Sequence, residues 1–149
     1  SGLCVKALGG QPGIHSARFA GKDSSDEQKC AKLLEMMKKT KDRSAEFVCV
    51  ISIAVPTGAA LTYEGRCEGL IAGEPEGENG FGYDPVFYYP PLKKTFAQLD
   101  PEEKNRVSHR GQALGQLREE FGRVLKWIDL QMPVSEKFSC NSTDTQDRN

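Results

Sequence analysis

Phe47 to Val55 is an almost unbroken apolar run rich in Val and Ile, closed by Pro56-Thr57-Gly58, and any fold for this chain must accommodate it first. Such a run reads as a sheet strand covered on both faces. Ala60 to Glu68 alternates apolar and polar residues and reads as its neighbour, with the Pro-Thr-Gly turn making an antiparallel pair of the two. A sheet therefore lies at the centre of the chain, and it is expected to be mixed.

The flanking segments supply helices. Ser24 or Ser25 is placed to cap one, with Glu27 or Gln28 three residues on, and Cys30, Leu33, Leu34 and Met37 then return at helical spacing. Asp100-Pro101-Glu102-Glu103 opens another, with Asp as cap, Pro in the first helical position and Glu103 closing a capping box. A longer helix is expected from near Ser108 to about Lys126, because Leu114, Leu117, Phe121, and Leu125 with Ile128 return at three- and four-residue intervals. Leu3 to Leu8 reads as a short strand before the turn-rich Gly9 to Gly13. Leu70 to Gly82, rich in glycine and glutamate, reads as a loop, and Val86 to Tyr89 as an aromatic strand stopped by Pro90-Pro91.

At 149 residues and 38% hydrophobic content the chain suits one domain, read as residues 1–130, followed by a polar tail at 131–149 with no period. Asn141-Ser142-Thr143 in that tail fits a glycosylation acceptor, and a chance match explains it as well. The 20 basic side chains nearly cancel the 21 acidic ones, so no global field steers the protein to a polynucleotide or an anionic membrane; an anion must be gripped locally. No run nears the roughly 18 apolar residues of a membrane span. Five widely spaced cysteines suggest reduced thiols in a cytoplasmic protein.

The polar chemistry concentrates in two stretches. Gly80-Phe81-Gly82-Tyr83-Asp84-Pro85 offers close backbone approach, an aromatic face and an acceptor carboxylate, which together suit a flat base carrying ring N–H donors. The alternative is that Phe81 or Tyr83 plugs the core. Lys104-Asn105 with Ser108-His109-Arg110-Gly111 brings cations to a helix junction, which suits phosphate oxygens; a capping and surface pair is the other reading. Ser108 is explained by its place as a helix cap, worth about 1 kcal/mol. The glycine spacing matches neither a Rossmann fingerprint nor a phosphate loop, and no catalytic triad or zinc spacing is present. An oxygen-ligated ion at Asp84 or the Glu64 to Glu78 carboxylates stays open beside a plain solvated acidic surface.

Taken together, Ser1-Gly2-Leu3, Leu8-Gly9-Gly10-Gln11-Pro12-Gly13-Ile14, Ser16-Ala17-Arg18-Phe19, the Gly80 to Pro85 segment, Lys94-Thr95, Glu103-Lys104-Asn105 and Ser108 to Gly111 resemble the inosine triphosphate pyrophosphatase family, also called Ham1-like. The resemblance covers nearly all of residues 1–130. It implies an α/β fold, with a mixed central sheet flanked by helices and two lobes around a nucleotide cleft, usually as a homodimer. It implies hydrolysis of ITP, dITP or XTP to the monophosphate and pyrophosphate with Mg²⁺. By the same resemblance Phe81 stacks on the purine and Asp84 helps to read its edge. His109 and Arg110 meet the 6-oxo side, Lys104 lies near base or phosphates, and Ser1 lies at the metal and phosphate end.

The family's general-base aspartate directly precedes the Ser-Gly-Leu motif, so the sequence is expected to be N-terminally truncated, without that base and without the metal-binding carboxylates. A fragment or incomplete record of a working enzyme, a shortened isoform without activity, and a piece completed by another chain are the accounts that compete. The alternative function is a non-catalytic purine nucleotide-binding or assembly protein.

Overall fold

The structure is a computed structural model that describes residues 1–132; residues 133–149 of the polar tail, with the Asn141 site, lie outside the described residues, and Gln131 at its expected start belongs to the last helix. Five strands, β1 (Gly2–Val5), β2 (Ser44–Ala54), β3 (Ala60–Ile71), β4 (Phe87–Tyr89) and β5 (Lys94–Thr95), form one sheet in chain order. Three helices, α1 (Asp26–Met37), α2 (Pro101–Val107) and α3 (His109–Gln131), complete the α/β fold. Within that class the sheet departs from the expected mixture, because every pairing among the described residues is antiparallel. The β2–β3 and β4–β5 pairs are joined by short turns, which allow only antiparallel pairing because a parallel pair needs a long crossover; β1 and β2 are antiparallel too, although residues 6–43, with α1 among them, lie between them.

The β2–β3 hairpin runs in register from Ser44 opposite Leu70 to Ala54 opposite Ala60. β2 was expected to be covered on both faces, but its residues alternate: Ala45, Phe47 and Cys49 are buried, while Glu46, Val48 and Val50 face away. The strand's hydrophobic character thus exceeds its burial. β3 also runs past its expected end, because Leu70 and Ile71 pair with Tyr88 and Phe87. β1 is shorter than the predicted strand; after Val5 the chain turns through a 3₁₀ segment, Lys6–Leu8.

The buried face carries the core, in which Leu3, Val5, Leu33, Met37, Phe87, Phe96 and Leu99 are almost wholly enclosed. Phe47 lies 4.5 Å from Phe87 and Phe87 lies 4.8 Å from Phe96, ring centre to ring centre, close enough for aromatic attraction beyond area burial. Arg43 ties the end of α1 to the end of β3, donating to the carbonyls of Met37 (3.1 Å), Ile71 (2.8 Å) and Ala72.

The helix starts follow the sequence. Ser25 and Gln28 form a reciprocal capping box on α1, as Asp100 and Glu103 do on α2, and Ser108 Oγ accepts from the Gly111 N–H at the head of α3. The orientation of α3 does not follow it. Its buried residues are His109, Ala113 and Val124, whereas Leu114, Phe121 and Leu125 are each more than half exposed. The reason lies at Gly65 of β3: a Cβ there would collide with the His109 carbonyl and approach the Ala113 amide. The helix therefore comes down on the sheet through the side that carries Ala113, which turns Leu114, Phe121 and Leu125 away while Leu117 and Ile128 stay half-buried.

Candidate functional site

Two left-handed glycines, Gly80 (φ 78°) and Gly82 (φ 64°), bracket Phe81 and shape a tight loop that most side chains would strain. Phe81 points outward and is 54% exposed, while Tyr83 is buried at 4% and donates its hydroxyl to the Ser16 carbonyl at 2.9 Å. The choice left open by the sequence is thereby decided: Tyr83 plugs the core and Phe81 is presented. Asp84, itself 3% exposed, accepts from the Phe81 N–H at 2.7 Å and pairs with the Lys104 ammonium.

From the opposite side, the α2–α3 junction brings in the cations. Lys104 Nζ stands 4.5 Å and the Arg110 guanidinium carbon 4.8 Å from the Phe81 ring centre, both within cation–π range. Arg110 also donates to Ser1 Oγ through Nε (3.2 Å) and Nη2 (3.0 Å), which joins the start of β1 to the head of α3. Stacking of a flat ligand on Phe81 would meet a ring already held by two positive charges.

His109 follows the Ser108 cap and is driven inward by the helix turn. It is 6% exposed, stacks on Phe47 at 4.6 Å with the rings 10° from parallel, and its Nδ1 has no hydrogen-bond partner. Burial first, then the charges of Arg110 and Lys104, push its pKa down to about 4, so the ring is neutral at pH 7. A buried ring nitrogen without a partner, set beside two cations, is an incomplete polar site of the kind a ligand completes.

Ser1, Phe81, Asp84, Lys104, His109 and Arg110 all line one cleft of about 770 Å³, a size that suits a nucleotide-sized ligand. The sequence reading did not anticipate Asp26 and Lys29, which line the same cleft. Their position in the first turn of α1 looked like ordinary helix-start chemistry, and only the tertiary fold sets them against the Phe81 loop. Glu64, by contrast, pairs with Arg66 on the sheet. Among the described residues no group of three or more His, Cys, Asp or Glu is arranged to hold a metal ion, and no helix is long and apolar enough to cross a membrane.

Comparisons with known proteins bear on this cleft. The sequence model of the Ham1 family matches residues 1–120. The chain is 59% identical over 128 residues to a dITP/XTP pyrophosphatase of Syntrophobacter fumaroxidans, a match covering 86% of this chain and 55% of that protein. It is 54% identical over 132 residues to a dITP/XTP pyrophosphatase of Desulfotalea psychrophila, covering 89% and 59%. The solved Ham1 protein of Staphylococcus aureus superposes with a TM-score of 0.79 at 49% identity, over 83% of this chain and 64% of that one. A HAM1 protein from Coxiella burnetii gives 0.79 at 48% identity, over 82% and 64%. The chain thus spans less than two thirds of the length of each of these relatives.

Proposed function

Because the chain belongs to the Ham1 family, we propose that its cleft is the purine-reading part of a pyrophosphatase that converts ITP, dITP or XTP to the monophosphate and pyrophosphate. The observation that carries this reading is the grouping of an outward aromatic ring, two cations and a neutral, partly unsatisfied histidine in one cleft. Phe81 supplies the stacking face for the base. His109 and Arg110 meet the 6-oxo side, and Lys104 lies near the base or phosphates. Asp84 contributes to reading the edge chiefly by holding Lys104 and the Phe81 backbone, and Ser1 lies toward the phosphate end.

The physical basis of selectivity is the unpaired donor. Cationic donors that pair with a 6-keto oxygen are left facing N–H groups when adenine's 6-amino group takes its place, at a cost that a desolvated site magnifies. A neutral His109 adds no further repulsion between the cations and leaves a ring that hydrogen-bonds without a net charge.

Mg²⁺ belongs to this proposal for the whole protein, where it would neutralise phosphate charge. The described residues contain no cluster fit to hold it. Homodimeric assembly and a cytoplasmic setting belong to the proposal as well. The free thiols of Cys4, Cys30, Cys49 and Cys67 support a reducing compartment.

The test is pyrophosphate release from ITP with Mg²⁺, assayed for residues 1–149 and for a version extended to the length of the relatives. Release by the extended form is expected, and its failure to hydrolyse ITP would sink the reading. IMP binding by residues 1–149, with no release by either form, would favour a non-catalytic purine-binding role.

A further inference from the structure

Within its own segment the Phe81 loop is closed by a reciprocal pair of bonds, the Phe81 N–H to Asp84 Oδ2 and the Asp84 N–H to the Phe81 carbonyl at 3.2 Å. Its two left-handed glycines remove the side-chain restraints that stiffen a backbone, and an exposed aromatic ring gains by folding back onto apolar surface. The ring nevertheless stands out into the cleft, where Lys104 and Arg110 lie against it and hydrogen bonds hold the backbone beneath it. The peptide N–H on the near side, Phe81 N, donates to Asp84 Oδ2 at 2.7 Å, and the next N–H, Gly82 N, donates to Asp26 Oδ2 at 2.6 Å. Two successive amides are thus taken by two different carboxylates from elements 58 residues apart in sequence. The Gly82 carbonyl is engaged from the same helix, accepting from the Cys30 thiol at 3.3 Å.

We propose that Asp26, supported by Cys30 one turn further along α1, is a positioning residue that clamps the Gly82 peptide and so keeps the Phe81 ring presented to the base. The proposal rests on the reading of Phe81 as the stacking ring. Its second oxygen, Oδ1, is held by Lys29 at 2.9 Å, which fixes the carboxylate so that Oδ2 faces the loop. The Gly82 N–H first, and then Lys29, lower the Asp26 pKa, so the acceptor stays charged at neutral pH. An acid in the first helical turn also favours the helix dipole, but Glu27 occupies that turn too and turns to Ser25 instead of the loop. The bond to Gly82 is therefore more than a helix start requires.

The experiment uses the full chain with Asp26→Ala, Asp26→Asn and, as a helix-start control, Glu27→Ala. Amide hydrogen exchange is read at Phe81 and Gly82, and IMP affinity by calorimetry. Asp26→Ala is expected to speed exchange at Gly82 but not at Phe81, and to weaken IMP about tenfold, the scale of one charge-assisted hydrogen bond. Asp26→Asn, which keeps an acceptor oxygen, should restore most of both, and Glu27→Ala should change neither. Parent-like IMP affinity in Asp26→Ala despite faster Gly82 exchange would overturn the proposal, as would an Asp26→Asn variant as weak as the alanine. Should Asp26→Ala fail to fold, Asp26→Ser, which suits a helix start but is too short to reach the Gly82 amide, takes its place with the same two losses expected and the same parent-like affinity overturning the proposal. If the parent itself does not bind IMP, the failure belongs to the base-stacking reading, and unchanged Gly82 exchange in Asp26→Ala would still refute the clamp.

Discussion

His109 sits where two demands meet: the start of α3 turns its ring inward onto Phe47, and the cleft leaves its Nδ1 without a partner. Its folded pKa of about 4 lies below the ordinary 6.5, so the unfolded chain binds the extra proton between these values. Stability is therefore full above about pH 6.5 and falls as the pH drops toward 4, with a limiting loss of roughly 3 kcal/mol for a shift of this size. Urea titrations of the parent and of His109→Gln at pH 7, 5.5 and 4.5 check this; the variant should show a shallower acid loss. Equal slopes would remove His109 as the source. Arg110 makes the opposite case, being exposed and bonded to Ser1 Oγ. Arg110→Ala should weaken inosine nucleotides at least tenfold in calorimetry while moving the melting temperature little, and equal effects on binding and unfolding would make it a structural residue.

Among the elements, α3 shows most clearly how a pattern and its use separate. Its Leu114, Leu117, Phe121, Leu125 and Ile128 return at helical intervals, and that periodicity correctly marks a helix. Which flank of the helix meets the sheet is set instead by Gly65 and Ala113, whose small size allows the close approach. Val124, 2% exposed, should therefore matter more than Phe121, 53% exposed. Val124→Ala is expected to cost about 2 kcal/mol in denaturant unfolding and Phe121→Gln less than about 0.5 kcal/mol; the reverse order would mean that α3 sits differently. The capping boxes on α1 and α2 needed no such correction, because a cap is satisfied within four residues of chain. β2 did need it: a run of Val and Ile specifies a strand, while coverage of its second face depends on what else packs there.

For the whole molecule, the half-exposed leucine stripe and a chain that spans 55% and 59% of two relatives bear on the proposed homodimer. Sedimentation equilibrium of residues 1–149 across micromolar concentrations should show a mass rising toward twice 16.4 kDa, and a constant monomer mass would remove the homodimer from the proposal. The six side chains picked out from short motifs do meet in one cleft, although Ser1 and Arg110 lie 109 residues apart. Local chemistry was readable from the chain alone: helix caps, the β2–β3 hairpin, the glycine-bracketed Phe81 and the cationic α2–α3 junction each depend on neighbours close in sequence. Tertiary structure alone decided which of Phe81 and Tyr83 faces out, that His109 is buried and neutral, and that Asp26 reaches Gly82. Those outcomes depend on packing and desolvation between segments remote in sequence, and neither spacing nor composition encodes where such segments meet.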